Sequence, residues 1–539
     1  MIQSVKRFFY QILGECRVCL PWSLFSALTG LFLFCVCTPR DWHYLHWFAF
    51  LPLFLACRQA SRKRNFYIGW CGGLSANFLI FLWIIPTVKD FGGIPLPLGA
   101  FLLFLMAGWG AVLYGLLGMV VPWFRQVFPR LWMLFIPAFF TFTEYLFPNI
   151  FPYFQGCGQF KNLPILQCSS FLTISGVTFL VLLGNCMLYE ALLSLRLKEW
   201  KKAILLPLLF LLLWGGVWYH GTLRIRAYET AILKAPRLKV AMAQTGWHIE
   251  QIHSKTFPEI WSAYIGFTKE AIQRGAELIL WPESAMGISY AHHDLYRQVH
   301  EVLLPDLAKK HKIALIYGGN FHHSEFLGRL NSAFFIDNTG KREVYHKMIL
   351  VPFGEYLPFS QWFPSLKGKI QGVQDVEAGK ERKIFHLTLP TTTSEGDPTF
   401  PQSLAFATII CYEAIFHSSV RAFLQDGAKL LVNLTADSWF KKTDAPYQHL
   451  MLSSLSAVQL GVGLLRSTDS GITAYIDPLG RVHQPSPLFV PHLWFEEIPL
   501  YHEETFVKKY GFWFPYTCFF FCLFIVCGER KNLQKSLKG

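Results

Sequence analysis

A multi-span α-helical membrane bundle joined to a layered α/β domain is the architecture this sequence predicts, on three observations. Hydrophobic residues make up 53% of the 539 positions and aromatic residues 17%, a balance too apolar for a single soluble chain of that length. The apolar residues are segregated: long runs fill residues 1–220 and 511–528, whereas the stretch between alternates short runs with polar ones. Basic residues collect in short loops between the long runs, as cytoplasmic loops of membrane proteins do.

Seven runs in residues 1–220 lie near the ~20-residue length that crosses a bilayer: 18–37, 41–57, 66–87, 97–122, 131–148, 169–192 and 203–219. An eighth covers 511–528. The first has no small-residue cleavage site and is read as a retained span, not a removed signal peptide. Lys6, Arg7 and Arg17, the cluster Arg58, Arg62, Lys63 and Arg64, then Arg125 and Arg130, and finally Arg196, Lys198, Lys201 and Lys202 fall on one side with the N-terminus. The loops 40–43, 89–95 and 149–167 are poor in basic residues and fall on the other. Seven crossings leave residue 220 outside the cell membrane, and the eighth returns the chain to a basic tail at 529–539. Both termini are therefore expected in the cytoplasm and the polar region outside it. Most of the net charge of +14 sits in these loops and the tail, which argues against a nucleic-acid-binding face. The expected domains are 1–220, 221–508 and 509–539.

Two features of the membrane part stand out. Glu144 lies within an apolar run, where a charge is either paired and functional or near enough to the surface to stay solvated. The aromatic loop 151–155 either lines a path for lipid or anchors at the interface.

Residues 221–508 read as β-like runs at 238–244, 277–281, 313–317, 332–336, 344–350, 404–410, 430–434, 463–467 and 471–476. Helical patterns cover 260–273, 293–311, 416–425 and 447–460. Strands with interspersed helices predict helices packed on sheets. A region of this length buries a core without disulfides. The Thr-, Pro- and Gly-containing stretch 391–402 reads as an exposed loop.

Of the 13 cysteines, only Cys411 lies in this polar region; the other twelve sit in or beside apolar segments and read as small core residues. No CxxC…CxxC array or HExxH run suggests a metal site. Cys411 ends the apolar run 404–410, and a lone thiol at a strand end is either an inert small hydrophobe or a nucleophile. Two other strand ends present partners. Glu283 follows the run 278–281, which Pro282 should terminate because it has no N–H for a ladder. Lys347 follows 344–346. A carboxylate can take the thiol proton, an ammonium can lower the thiol pKa and stabilise an oxyanion, and the thiolate can hold an acyl group as a thioester.

Trp281-Pro282-Glu283-Ser284, the K-x-x-L-V-P-F-G-E-Y run at 347–356 and Ile410-Cys411-Tyr412-Glu413 resemble, in order and spacing, the three signature segments of the nitrilase superfamily. With seven spans before them and one after, nearly the whole chain is similar to the membrane-embedded branch of that superfamily, the apolipoprotein N-acyltransferases. The resemblance implies an αββα domain on a bundle of about eight helices in a bacterial inner membrane, with the catalytic domain on the periplasmic face. It implies Glu283 as base, Lys347 as oxyanion stabiliser and Cys411 as nucleophile. Glu355, Tyr412 and Glu413 match supporting positions, and Tyr356, Trp362 and Trp439 are expected around the substrate. Cys411 would take an acyl chain from a membrane phospholipid and pass it to the N-terminal amine of a diacylated apolipoprotein. No metal or cofactor and no nucleic acid is implied, and the protein is expected to act as a monomer. The alternative is a membrane-tethered amidase of the same superfamily with water as acceptor; eight spans exceed what a tether needs.

The chain departs from the family's pattern in places. Asn-Asp-Ala-Trp-Phe appears as Ala436-Asp437-Ser438-Trp439-Phe440, and a glutamate common in a later helix appears as Gln459. The run 352–366, rich in Phe, Tyr, Trp and Pro, is either a packed aromatic loop or a lid that touches the outer leaflet.

Overall fold

The computed structural model describes residues 2–58, 61–286, 297–322, 329–358, 376–389 and 402–528. The chain divides into two compact units. One comprises Met1–Pro86, Ile94–Arg224 and Phe512–Gly539, and the other Thr87–Gly93 and Ile225–Gly511.

The first unit is helical, and every expected apolar run falls on helix, though not on eight full spans. Among the described residues, four segments are long and apolar enough to cross a membrane: Cys19–Val36, Leu96–Val127, Ser169–Arg196 and Trp200–Lys234. Arg62–Ile80 and Ile84–Gly92 supply a fifth only if taken as one span bent by 53°. His43–Ala56, Trp132–Leu146 and Trp513–Gly528 are shorter apolar stretches. A 15-residue helix such as Trp132–Leu146 rises about 22 Å, short of the roughly 30 Å apolar layer. The run 41–57 is not one helix: a 3-10 turn at His43–Trp47 precedes Leu51–Ala56, which starts with a proline in its first turn. Hydropathy alone therefore overstates the count of full-length spans.

Helix Arg62–Ile80 packs on Leu96–Val127 at close range, and a Cβ at Gly69 would lie 2.3 Å from the Tyr114 carbonyl oxygen. Small residues let membrane helices approach in this way. Glu144 is buried here, so it is not solvated at a surface. Its carboxylate accepts from the Gln155 backbone N–H at 2.7 Å and the Thr178 hydroxyl at 2.9 Å. The Gln155 side chain in turn donates to the Tyr114 hydroxyl at 2.6 Å. Glu144 thus ties down the end of the aromatic loop, where the turn Gln155–Gln159 begins.

The second unit is built on two sheets. Strands β1 (Arg237–Gln244), β2 (Leu278–Leu280), β3 (Ala314–His322), β4 (Arg329–Ile336), β5 (Arg342–His346), β6 (Val376–Glu377) and β13 (His492–Pro499) form the first. Its order is β13-β1-β2-β3-β4-β5, with β6 beside β4. Strands β7 (Ile384–Thr388), β8 (Ser403–Ile410), β9 (Leu430–Thr435), β10 (Gly463–Thr468), β11 (Ala474–Ile476) and β12 (Val482–His483) form the second, in the order β12-β11-β10-β9-β8-β7. The centre of each sheet is parallel: β1-β2-β3 in one, β8-β9-β10 in the other. Side chains alternate between faces along a strand. On β1, Ala241 and Ala243 join Phe257, Ile260 and Tyr264 of helix Phe257–Gln273 in one buried cluster. Between the sheets, the Phe335 ring of β4 meets Phe385 of β7 at 5.2 Å and Phe406 of β8 at 5.1 Å. Helices His417–Gln425 and Ala445–Leu460 pack on the second sheet. The layers therefore run helix, sheet, sheet, helix, with apolar residues filling each junction.

Strand β5 stops at His346, earlier than the expected 350, so Lys347 stands just past the sheet. Strands β7 and β13 have no counterpart among the expected strands. β13 lacks clean alternation and is fixed by its antiparallel register along the whole of β1. Residues 293–296 of the expected helix, 391–401 of the expected loop, 359–366 of the aromatic run with Trp362, and the tail 529–539 lie outside the described residues.

Candidate active site

Three strand ends converge. β2 gives way to Trp281, Pro282 and then Glu283. β3 passes directly against this turn: the Gly318 N–H donates to the Pro282 carbonyl at 3.1 Å, and a Cβ at 318 would sit 2.6 Å from the Glu283 Cα. Only glycine permits that approach. Lys347 follows β5, with its backbone N–H on the Asn331 carbonyl of β4 at 2.8 Å. Cys411 follows β8 and opens the 3-10 turn Cys411–Ile415 with φ 51°. That left-handed value is uncommon for a side-chain-bearing residue and marks a sharp turn from strand to helix.

Glu283, Lys347 and Glu355 are all buried and form one charged cluster. The Lys347 ammonium donates to Glu355 Oε1 at 2.8 Å and Glu283 Oε1 at 3.3 Å. Asn331 Nδ2 donates to the same two oxygens, at 2.9 Å and 2.7 Å respectively. The remaining oxygens are also satisfied: Glu283 Oε2 accepts from the Ala436 N–H at 2.9 Å, and Glu355 Oε2 from the Val351 N–H at 2.8 Å. Full satisfaction is what makes burial of such charges tolerable.

The charges set one another's protonation. Burial disfavours the Lys347 ammonium, but the Glu283 and Glu355 carboxylates outweigh it and hold the group above its ordinary value, so it stays charged. Burial raises the Glu355 carboxyl, and Lys347 with the hydrogen bonds outweighs that and holds it below the usual range. Burial, followed by the Glu283 charge, pushes the Cys411 thiol well up, against a smaller downward pull from Lys347. A resting thiol with a high pKa reacts only if a base takes its proton.

Glu413 braces the turn. Its Oε2 accepts from the Ile410 N–H at 2.7 Å. Its Oε1 accepts from the Tyr345 hydroxyl at 2.8 Å and from the Met348 and Ile349 N–H groups at 2.7 and 3.1 Å. One carboxylate thus fixes the Cys411 turn to the backbone immediately after Lys347.

The other expected residues are spread more widely. Tyr412 is buried, with its ring edge-on to Phe416 at 4.8 Å. The Tyr356 side chain is exposed, on a turn where the Tyr356 carbonyl accepts from the Phe353 N–H at 2.8 Å. Trp439 is half-buried, with its ring edge-on to Phe91 at 3.9 Å. Trp362 is outside the described residues. At Ala436 the contact to Glu283 is made by the backbone N–H, so replacing the family's asparagine leaves that bond in place. Gln459 Nε2 lies 3.1 Å from His417 Nδ1, and His417 Nε2 lies 3.0 Å from the Leu452 carbonyl. Burial pushes His417 down to about 4, so the ring is neutral, with Nε2 donating and Nδ1 accepting. A glutamine amide suits that acceptor, and a carboxylate would oppose it. Sequence reasoning missed Asn331 and His449. Their only signal was a polar residue at a core-facing position.

The comparisons with known proteins agree with this layout. The carbon-nitrogen hydrolase family model matches residues 239–499, which places the two-sheet unit in that class. The apolipoprotein N-acyltransferase N-terminal domain model matches residues 29–187. An apolipoprotein N-acyltransferase of Geobacter metallireducens is 28% identical over 515 residues, covering 92% of each chain. One from Bdellovibrio bacteriovorus is 26% identical across 82% of this chain and 81% of its own. One from Vibrio cholerae is 26% identical across 81% and 83%. Along nearly its whole length the chain is thus similar to apolipoprotein N-acyltransferases, and its residues 239–499 to carbon-nitrogen hydrolases.

Proposed function

We propose that this protein transfers a fatty acyl chain from a membrane phospholipid, through a thioester on Cys411, to the N-terminal amine of the diacylglyceryl-cysteine of apolipoproteins. The observation that carries the chemistry is the Glu283–Lys347 pair at 3.3 Å, whose charges both act on the thiol of a strained Cys411 turn. Glu283 takes the Cys411 proton as sulfur attacks the phospholipid ester carbonyl. The Lys347 ammonium stabilises the oxyanion. The intermediate collapses, its carbon–oxygen bond breaks, and the lysophospholipid leaves with the proton returned by Glu283. In the second half the lipoprotein amine attacks the thioester, Glu283 accepts the amine proton, and the Cys411 sulfur leaves and is reprotonated. Glu355 holds Lys347 in place and Glu413 holds the turn; Tyr412, Tyr356 and Trp439 are assigned to the substrate path.

The alternating basic loops support an inner-membrane protein with 1–220 and 509–539 in about eight passes, both termini cytoplasmic, and 221–508 as a periplasmic domain. Donor and acceptor would then meet it at the outer leaflet, with the protein acting as a monomer.

Incubation of purified protein with a labelled phospholipid should place a hydroxylamine-sensitive acyl group on Cys411, seen by peptide mass spectrometry, and C411S should abolish it. A diacylated lipopeptide should discharge the adduct. No adduct under conditions where a family enzyme labels would end this reading, and discharge by water alone would replace it with the amidase.

A further inference from the structure

We propose that His449 is a positioning residue for acyl transfer, holding the peptide that carries the Cys411 thiol; this deepens the reading of Cys411 as nucleophile and rests on it. The left-handed backbone at Cys411 persists only where its surroundings fix it. Glu413 fixes it in part. The Cys411 carbonyl oxygen itself lies 3.4 Å from His449 Nε2 and 3.5 Å from Asn433 Nδ2. A carbonyl can only accept, so the proposed hold requires a proton on His449 Nε2.

Both donors are aligned by one buried guanidinium. Arg466 Nη1 donates to Asn433 Oδ1 at 2.7 Å, and Nη2 donates to Asp437 Oδ2 at 2.8 Å. His449 Nδ1 lies 2.9 Å from Asp437 Oδ1 and 3.1 Å from Arg466 Nη2. Arg466 and Asp437 are fully buried, and an ion pair costs desolvation there. The use of that pair is to orient the two groups that reach the Cys411 carbonyl. In a trans peptide the carbonyl and the next N–H point in opposite directions. Holding the Cys411 oxygen therefore sets the orientation of the whole Cys411–Tyr412 peptide and, with it, the thiol. Small errors in such placement are costly in rate.

The test compares H449Q with H449M in the full-length protein. The two replacements are near-isosteric, and only glutamine offers a donor close to the place of Nε2. One readout is the rate of Cys411 alkylation by iodoacetamide, followed by peptide mass spectrometry, which needs no lipid. The other is single-turnover acylation of Cys411 by labelled phospholipid. H449M should slow both by about 10- to 100-fold with the phospholipid KM unchanged, and H449Q should recover most of the loss. Equal loss in both variants, or no loss in H449M, overturns the proposal. Should thermal melts find the variants unfolded, nitrogen NMR of the wild-type imidazole decides: a proton on Nε2 supports the proposal and its absence there overturns it. A wild-type protein whose Cys411 alkylates but takes no acyl group refutes the acyltransferase reading instead, and the alkylation comparison still tests His449.

Discussion

Each of the two units buries a glutamate, and the two are treated differently. Glu144 in the helical unit meets neutral donors, the Gln155 N–H and the Thr178 hydroxyl. Glu283 in the sheet unit meets an N–H and an amide too, but also the Lys347 ammonium. A carboxylate held only by dipoles has one task, which is to pin a segment of backbone. A carboxylate that shares a cation with a second carboxylate sits in a field that also acts on the neighbouring thiol. Burial of an acidic residue is therefore a weak sign of chemistry; the charge of its partners and the reactive group beside them are the stronger sign.

The comparison can be broken in four ways. K347M removes the shared cation and leaves Glu283 and Glu355 facing each other. It should cost about 3–5 kcal/mol of stability and slow formation of the Cys411 adduct by roughly 10²- to 10³-fold, read by thermal melts and adduct kinetics. A K347M protein that acylates at the wild-type rate would remove Lys347 from the mechanism.

The second test is pH. Glu355 is held below its ordinary value in the folded protein, so the unfolded chain binds its proton more readily. Its contribution is present above about pH 4, the unfolded value, and is lost as pH falls through the lower folded value. Lys347 is held above its ordinary value, so its contribution persists through neutral pH and fades only in strong alkali. Stability should therefore fall on acidification below about pH 4, and E355Q should flatten that limb of the curve. An unchanged acid limb in E355Q would mean that the pair is not what acid breaks.

E144Q comes third. The glutamine keeps one acceptor and nearly the same shape, so the melting temperature should drop by the equivalent of about 1–2 kcal/mol, with acyl transfer per folded molecule unchanged. If folded E144Q cannot form the adduct, Glu144 is more than an anchor and the contrast fails. The smallest effect is expected from A436N, which restores the family's side chain but leaves the backbone N–H on Glu283. Its acylation rate should match the wild type, and a large gain would show that the side chain at 436 matters.

The sequence made the charged centre legible because Glu283, Lys347 and Cys411 each follow an apolar run, and the end of a run is visible without a structure. Glu355 and Glu413 were legible through the same local segments. Asn331 and His449 were not: each is one of several polar residues on its strand or helix, and the partners that single it out lie on other elements. The lengths of the spans were not legible either, for a different reason. Hydropathy sums over a window do not register the break between Ile80 and Ile84 or the proline opening Leu51–Ala56, and those breaks decide length. β13 was missed because its place is set by pairing with β1, more than 240 residues earlier, not by its own pattern.

The stretch Thr87–Gly93 precedes the rest of its unit by more than a hundred residues, yet is part of it. Phe91 covers an edge of Trp439, and Asp90 Oδ2 takes the Lys441 ammonium at 2.8 Å, beside Glu250 at 3.1 Å. Anyone wishing to prepare the sheet unit as a soluble fragment therefore cannot simply cut at residue 221. Such a fragment would bare an indole to water and leave Lys441 one carboxylate short. A faithful excision would graft the Thr87–Gly93 peptide back onto Ile225–Gly511 through an engineered linker.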